Sequence, residues 1–332
     1  MTVRIGINGF GRIGRNVARA IWNYEDTELV AVNDVADIYT LAHLLRYDTV
    51  MGPAYQDVSV SGDLIYFGGK KIKVYSQKDP ATIEWSACGV NVVIESTGKF
   101  LDGSKQAKGH LGGSVHRVIF SAPSVNEDLT VVLGVNEDQY DRKRHYMISN
   151  ASCTTNALAP IVKVLQQNFG IESGSMTTIH SYTNDQSVVD APHSDLRRAR
   201  AAGMNLIPTS TGAAKAIGLV IPELKGKFYG FSIRVPLPNV SVIDFNARLK
   251  RQVTTEELRW VLEEATVSGL KDILGYTHEP IVSSDLLRDT HSAIVDQEFT
   301  LMVGDREAKV YAWYNNEMGY ASRLIELARL VA

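Results

Sequence analysis

The chain has 332 residues, 45% of them hydrophobic, with 34 Lys and Arg against 37 Asp and Glu for a formal net charge of −3. That length holds a sizeable core, most naturally in two domains, and the near balance of charge argues against nucleic acid or an anionic membrane as partner. No apolar run reaches signal-peptide or membrane-spanning length. The two cysteines, Cys88 and Cys153, form no CxxC pair, which argues against a disulfide framework or a metal site and for a cytoplasmic protein.

Residues 3–7 (VRIGI) read as a strand, followed at once by NGFGRIGRNVARAIW, with a helical period from Gly14 through Val17, Ala20 and Ile21. A second apolar run, Leu29 to Val32, ends in Asn33–Asp34. Residues 58–75 look like short hairpins around Gly62 and Gly68–Gly69, an insertion in the pattern. Val90 to Ile94, Val115 to Phe120 and His145 to Ser149 complete a set of strands separated by crossovers. Strands apolar throughout imply a parallel sheet covered on both faces. A helical period (Ala157, Leu158, Ile161, Val162, Leu165, Phe169) follows Cys153. Beyond it, residues 174–182, 228–236, 241–250 and 298–313 are long β-prone runs, and Ile243, Phe245, Ala247 and Leu249 alternate with polar partners as antiparallel strands do. Thr254 and Glu257 form a capping box. Tyr182 to Met204 is long for a loop in a compact domain, and such loops are usually functional. Ala321, Leu324, Ile325 and Ala328 close the chain as a helix. The fold class expected is α/β: a mostly parallel Rossmann-type domain over 1–152, joined by a C-terminal helix 317–332, and an α+β domain with a largely antiparallel sheet over 153–316.

Gly9, Gly11 and Gly14 make G-x-G-x-x-G between strand and helix. The first two permit a tight turn and close backbone approach to a pyrophosphate, and the third permits helix–strand packing. Helix-start N–H groups near Arg12 and Ile13 suit phosphates. Alone the triplet is weak, but Asp34 follows Gly14 by 20 residues, where a carboxylate meets a ribose diol. Asp34 would repel a 2′-phosphate, so NAD is expected over NADP.

In NASCTTN, Cys153 stands among Ser152, Thr154 and Thr155 near a predicted helix N-terminus, which favours thiolate. The competing reading is a buried, inert thiol. His180, in TTIHSYTND, is the candidate base at a strand end. A Cys/His pair alone also fits a cysteine hydrolase. With a dinucleotide site in the same chain, it fits thiolate addition to an aldehyde, loss of hydride to nicotinamide and a thioester. Arg197, Arg198 and Arg200 cluster in the long loop, and the Thr209–Ser210–Thr211–Gly212 turn opens a probable helix. Arg234 lies in a β-prone run where an unpaired guanidinium is costly. Phosphate binding competes with a solvated or subunit-contact surface for the cluster, and with an internal salt bridge for Arg234.

From NGFGRIGR through SNASCTTN, HSYTNDQ, DLRRARAA, PTSTGAAKA and RVPLPNVSV to WYNNEMGY, the chain resembles the phosphorylating glyceraldehyde-3-phosphate dehydrogenases over essentially its whole length. The resemblance implies NAD-dependent oxidative phosphorylation of D-glyceraldehyde 3-phosphate to 1,3-bisphosphoglycerate, with Cys153 as nucleophile and His180 as base. It implies that Thr183 and Arg234 hold the substrate phosphate, and that Ser152, Thr154, Arg198, Thr211 and Gly212 surround inorganic phosphate. Arg12, Ile13, Asp34, Lys78, Ser121 and Asn316 would contact NAD, with Tyr320 near the nicotinamide. It also implies a homotetramer whose long loop meets a neighbouring subunit's cofactor site. Ala157 replaces a cysteine frequent in the family, Lys78 an arginine, and Asn315 and Met318 a usual Asp and Trp; Pro192 matches NAD-preferring relatives. The alternatives are erythrose-4-phosphate dehydrogenase, whose PTSTG and HSYTND segments differ, and a non-catalytic binding protein on the same fold.

Overall fold

A computed structural model describes residues 2–332. The chain separates into two compact units: residues up to Val131 with Glu137–Ser152 and Ala321–Ala332, and Val132–Asn136 with Cys153–Tyr320.

In the first unit β1 (Val3–Asn8) leads through the glycine turn into α1 (Arg12–Ala20), then β2 (Thr27–Asn33) and α2 (Ile38–Arg46). The strands β3 (Val58–Ser61), β4 (Leu64–Phe67), β5 (Lys70–Tyr75), β6 (Val92–Glu95), β7 (Arg117–Phe120), β8 (Leu129–Thr130) and β9 (Met147–Ser149) follow. Among the described residues they form one nine-stranded sheet in the order β3-β4-β5-β2-β1-β6-β7-β9-β8. All pairings are parallel except β3 with β4 and β4 with β5. Ile5, Ile7, Val92, Ile94, Val118 and Ile119 are fully buried, as the continuous apolar runs require of strands covered on both faces. The hairpins over 58–75 form as expected, but β5 pairs in parallel with β2, so the insertion extends the sheet.

Three strands are shorter than their apolar runs. Asn91 N–H bonds back to the Arg4 carbonyl, and β6 starts after it. Val115 closes a turn with Gly112, so β7 starts at Arg117. His145 N–H bonds to Asp141 O and Tyr146 N–H to Asp128 Oδ2, leaving only Met147–Ser149 for β9.

The second unit opens with α3 (Cys153–Phe169) and continues through β10 (Ile171–Ser181), β11 (Ile207–Ser210), α4 (Ala213–Val220), β12 (Phe228–Val235), β13 (Ser241–Leu249) and α5 (Thr255–Val267). β14 (Leu274–Thr277), β15 (Ala293–Asp296), β16 (Leu301–Val303), β17 (Glu307–Tyr314) and α6 (Met318–Val331) complete the chain. The sheet order is β11-β12-β10-β13-β17-β15-β14, with β16 on β17. Most pairs are antiparallel, but β10–β12 and β14–β15 are parallel. Ile243, Phe245, Ala247 and Leu249 are buried while Asn246 and Arg248 are exposed, as their alternation predicts. The single run expected over 298–313 is instead a hairpin: Gly304 takes φ +73° and turns β16 back onto β17. Thr254 Oγ1 caps α5 by accepting from Glu257 N–H at 3.1 Å. Residues 182–206 hold no helix or strand. The last helical turns belong to the first unit, where Tyr24 Oη donates to Glu326 and Arg329 pairs with Asp26.

Candidate active site

In the first unit the sequence-predicted cofactor residues follow the ends of β1 (the glycine turn with Arg12 and Ile13), β2 (Asp34), β5 (Lys78) and β7 (Ser121). Gly9 sits at φ +91°, a region that penalises any side chain. A Cβ on Gly14 would stand 2.5 Å from the Gly9 carbonyl oxygen, so the third glycine lets α1 begin close against the turn. Gly11, in contrast, has open space around it, the clearance a pyrophosphate needs. Helix geometry leaves the Ile13 and Gly14 N–H groups without intrahelical acceptors. Asp34 reaches back to this turn: its Oδ2 accepts from Phe10 N–H at 2.8 Å and Oδ1 from Ala36 N–H at 3.0 Å. The Arg12 guanidinium is paired with Asp48, so its side chain is committed within the unit. Ser121 follows β7, with its N–H on the Glu95 carbonyl. Lys78 is exposed, in the loop that Gln77 ties to Asn33 at the end of β2. These groups fit a dinucleotide. Gly14→Ala is expected to cost about 1–3 kcal/mol of stability through overpacking against backbone and to weaken NAD binding; denaturant unfolding and NAD titration check both.

Beneath the turn lies a buried network that sequence reading did not find. Glu95 Oε2 accepts from Asn8 Nδ2 at 2.6 Å and lies 3.1 Å from His110 Nε2. Trp85 Nε1 donates to His110 Nδ1 at 3.0 Å. An indole only donates, so Nδ1 accepts and Nε2–H serves the carboxylate. The one sequence signal was a glutamate closing an apolar strand.

In the second unit, Cys153 is the first residue of α3. Ala151, two residues earlier, takes φ +54°, a left-handed conformation costing an L-residue roughly 1–2 kcal/mol; this bend precedes the helix start. The thiol is half-buried, and its Sγ lies 3.5 Å from His180 Nε2. His180 sits near the end of β10 with its ring in edge contact with Tyr314. Its Nδ1 is 2.6 Å from the Ser181 carbonyl oxygen and 2.9 Å from Arg234 Nη1. A carbonyl can only accept, and this contact is the shorter, so we assign the proton to Nδ1. Nε2 then presents its lone pair to the thiol. Arg234 Nη1 donates instead to Ser181 O at 3.0 Å and Thr183 Oγ1 at 3.2 Å.

The electrostatics correct one expectation. Burial pushes the Cys153 thiol above its ordinary value, against the lowering by the Arg234 charge and the Thr154 hydrogen bonds. Burial first, then Arg234, push His180 down to about 3. Both shifts favour the thiol and the neutral imidazole over the thiolate–imidazolium ion pair. The His180 shift sets a stability window. The unfolded histidine binds a proton below pH about 6.5 while the folded one does not. The contribution of neutral His180 is full above that pH and is lost as pH falls toward about 3, at up to roughly 1.4 kcal/mol per pH unit. Denaturant midpoints at pH 5 and 7 should fall further apart in the wild type than in His180→Asn.

The remaining sequence-predicted residues gather around this pair in part. Thr154 Oγ1 and Thr178 Oγ1 both bond the buried Tyr314 hydroxyl, at 2.9 and 2.8 Å. Tyr314, which sequence reading passed over, thus holds the residue after Cys153. Among the described residues Arg234 makes no internal salt bridge: it meets neutral acceptors, and its buried Nε has no partner there. Burial and the like charge of Arg198 lower its pKa, and it remains a cation. Arg198 Nε donates to Thr209 Oγ1 at 2.9 Å and Nη2 reaches Ser210 O at 3.4 Å, beside Thr211 and the helix-capping Gly212 of α4. Asn316 Oδ1 accepts from Ser181 Oγ at 3.0 Å and Ser241 Oγ at 3.2 Å. Tyr320 is buried near the start of α6. Ser152 ends a segment of the first unit, one residue before Cys153.

A parallel-sheet unit with a glycine turn suited to a dinucleotide, and a second unit with a thiol–imidazole pair beside guanidinium and hydroxyl groups, define an NAD-linked oxidoreductase. Residues 3–103 match the NAD binding domain, and residues 152–316 the C-terminal domain, of glyceraldehyde 3-phosphate dehydrogenase. The chain is 53% identical over 332 residues to the glyceraldehyde-3-phosphate dehydrogenase of Geobacillus stearothermophilus, covering 100% of this chain and 99% of that one. It is 55% identical over 325 residues to glyceraldehyde-3-phosphate dehydrogenase 1 of Bacillus cereus, covering 98% and 97%. The Bacillus subtilis strain 168 enzyme of that name is 53% identical, again over 100% and 99%. The chain belongs to the glyceraldehyde-3-phosphate dehydrogenase family.

Proposed function

We propose that this chain catalyses the NAD-dependent oxidative phosphorylation of D-glyceraldehyde 3-phosphate to 1,3-bisphosphoglycerate. The observation that carries the proposal is the Cys153 Sγ–His180 Nε2 approach of 3.5 Å, with the opposite ring nitrogen fixed on the Ser181 carbonyl. As Sγ bonds to the aldehyde carbon, its proton passes to Nε2, and the imidazolium then protonates the new oxyanion to give a hemithioacetal. Nε2 next removes the hydroxyl proton while C1 loses hydride and becomes a thioester. Bound NAD supplies the hydride acceptor. Inorganic phosphate attacks the thioester carbonyl and expels Cys153 as thiolate. Thr183 and Arg234 hold the substrate phosphate; Ser152, Thr154, Arg198, Thr211 and Gly212 hold the attacking one. Fixing both anions supplies orientation, worth several powers of ten in rate.

Gly9, Gly11, Gly14, Arg12, Ile13, Asp34, Lys78, Ser121, Asn316 and Tyr320 form the NAD site. Residues 1–152 with 317–332 act as the cofactor domain and 153–316 as the catalytic domain. With the Asn316 carbonyl oxygen taken by two serines, its amide N–H₂ is the group left for the cofactor. The exposed Val188, Val189, Leu196 and Met204 of the long loop support a subunit contact in a cytoplasmic homotetramer. Among the described residues no helix is long and apolar enough to cross a membrane.

The test is NADH formation from D-glyceraldehyde 3-phosphate and from erythrose 4-phosphate, with and without inorganic phosphate, repeated with NADP. We expect phosphate-dependent turnover of the first with NAD. Phosphate-independent turnover, or preference for the four-carbon aldehyde, overturns the proposal.

A further inference from the structure

Asp185 takes no part in the chemistry above, yet it joins its two anion sites. Its Oδ1 accepts from the Thr183 hydroxyl, and its Oδ2 from Arg198 Nη1 at 2.7 Å. Thr183 in turn accepts from Arg234 at 3.2 Å. One chain of hydrogen bonds therefore runs from Arg234 through Thr183 and Asp185 to Arg198, and on to Thr209 and Asp195. Burial raises the Asp185 carboxyl, but the Thr183 and Arg198 bonds outweigh it and hold the group below its ordinary range. Asp185 is thus a carboxylate anion set between a hydroxyl assigned to one phosphate and a guanidinium assigned to the other.

We propose that Asp185 is a positioning residue that couples the two phosphate sites, occupying Arg198 as an internal anion until the substrate phosphate arrives. The inference rests on the phosphate assignments of the preceding subsection. A phosphate monoester on Arg234 and Thr183 accepts the hydrogen bond that the Thr183 hydroxyl otherwise donates to Asp185. Asp185 loses one of its two hydrogen bonds and gains a dianion as neighbour. No longer anchored by Thr183, the carboxylate is repelled by that dianion away from Arg198, which turns to the incoming inorganic phosphate. The second anion is thereby admitted in response to the first, against the repulsion between the two.

The experiment compares the KM for inorganic phosphate with D-glyceraldehyde 3-phosphate and with D-glyceraldehyde, which leaves the first site empty, in the NAD-saturated enzyme. In the wild type the phosphate KM should be higher with the unphosphorylated aldehyde. Asp185→Asn removes the competing charge and should lower that KM about two- to fivefold, the range an exposed ion pair supports. The difference between the two aldehydes should then shrink or reverse, because only anion repulsion remains. A merely structural Asp185 would raise the phosphate KM with both aldehydes, and that result, or an unchanged ratio, overturns the proposal. Arg198→Ala separates the premise from the inference: if the phosphate KM does not move with either aldehyde, the site assignment itself fails. Should Asp185→Asn not fold, the wild type still decides, since an equal or lower phosphate KM with D-glyceraldehyde overturns the coupling.

Discussion

Replacing Cys153 by serine should lower turnover by on the order of 10⁴-fold or more while leaving NAD affinity intact. The reason lies in the state of the pair. Burial raises the thiol's pKa and holds His180 neutral, so bond formation needs a proton transfer over the 3.5 Å Sγ–Nε2 approach. A thiol gives that proton up to imidazole readily; an aliphatic hydroxyl is far weaker as an acid. The serine ester would also be a poorer acyl donor to phosphate than a thioester. The glycine turn and Asp34 belong to the first unit and form without the thiol. NADH production and an NAD titration on the same preparation measure the two effects, and a serine variant turning over near the wild-type rate would remove the thiol from the mechanism.

His180→Asn should slow acylation by roughly two to four orders of magnitude, the contribution of a well-placed general base. Asparagine keeps a polar group on β10 but offers no basic lone pair to Sγ. Without the imidazole, reaction depends on the small fraction of Cys153 already ionised. The variant's rate should therefore climb roughly tenfold per pH unit below the thiol's pKa. The wild type, whose His180 stays deprotonated down to about pH 3, should respond less steeply. Pre-steady-state NADH bursts across pH 6–9 would show this, and parallel profiles for the two enzymes would take His180 out of the base role.

Features legible in the sequence were those with local causes. Three glycines and Asp34, spaced along one strand–turn–helix–strand segment, identify a dinucleotide turn because the backbone conformations they allow are properties of the residues themselves. Alternation in β13 and continuous burial in β1 and β6 follow from which faces are covered, and period alone reports that. Cys153 stood out by its polar neighbours and its place before a helical period, and the residue does begin α3.

Long-range packing decided the rest. Whether β10 pairs in parallel with β12, or β16 folds back on β17, depends on partners far along the chain. The helix start alone points to a lowered thiol pKa, but desolvation by surrounding side chains outweighs the nearby positive charge. Glu95 with His110, Tyr314 with Thr154, and Asp185 with Arg198 are pairs separated by 15, 160 and 13 residues. No spacing rule links such positions. A buried polar atom acquires its meaning from what folding places within 3 Å of it, and that is a property of three-dimensional proximity.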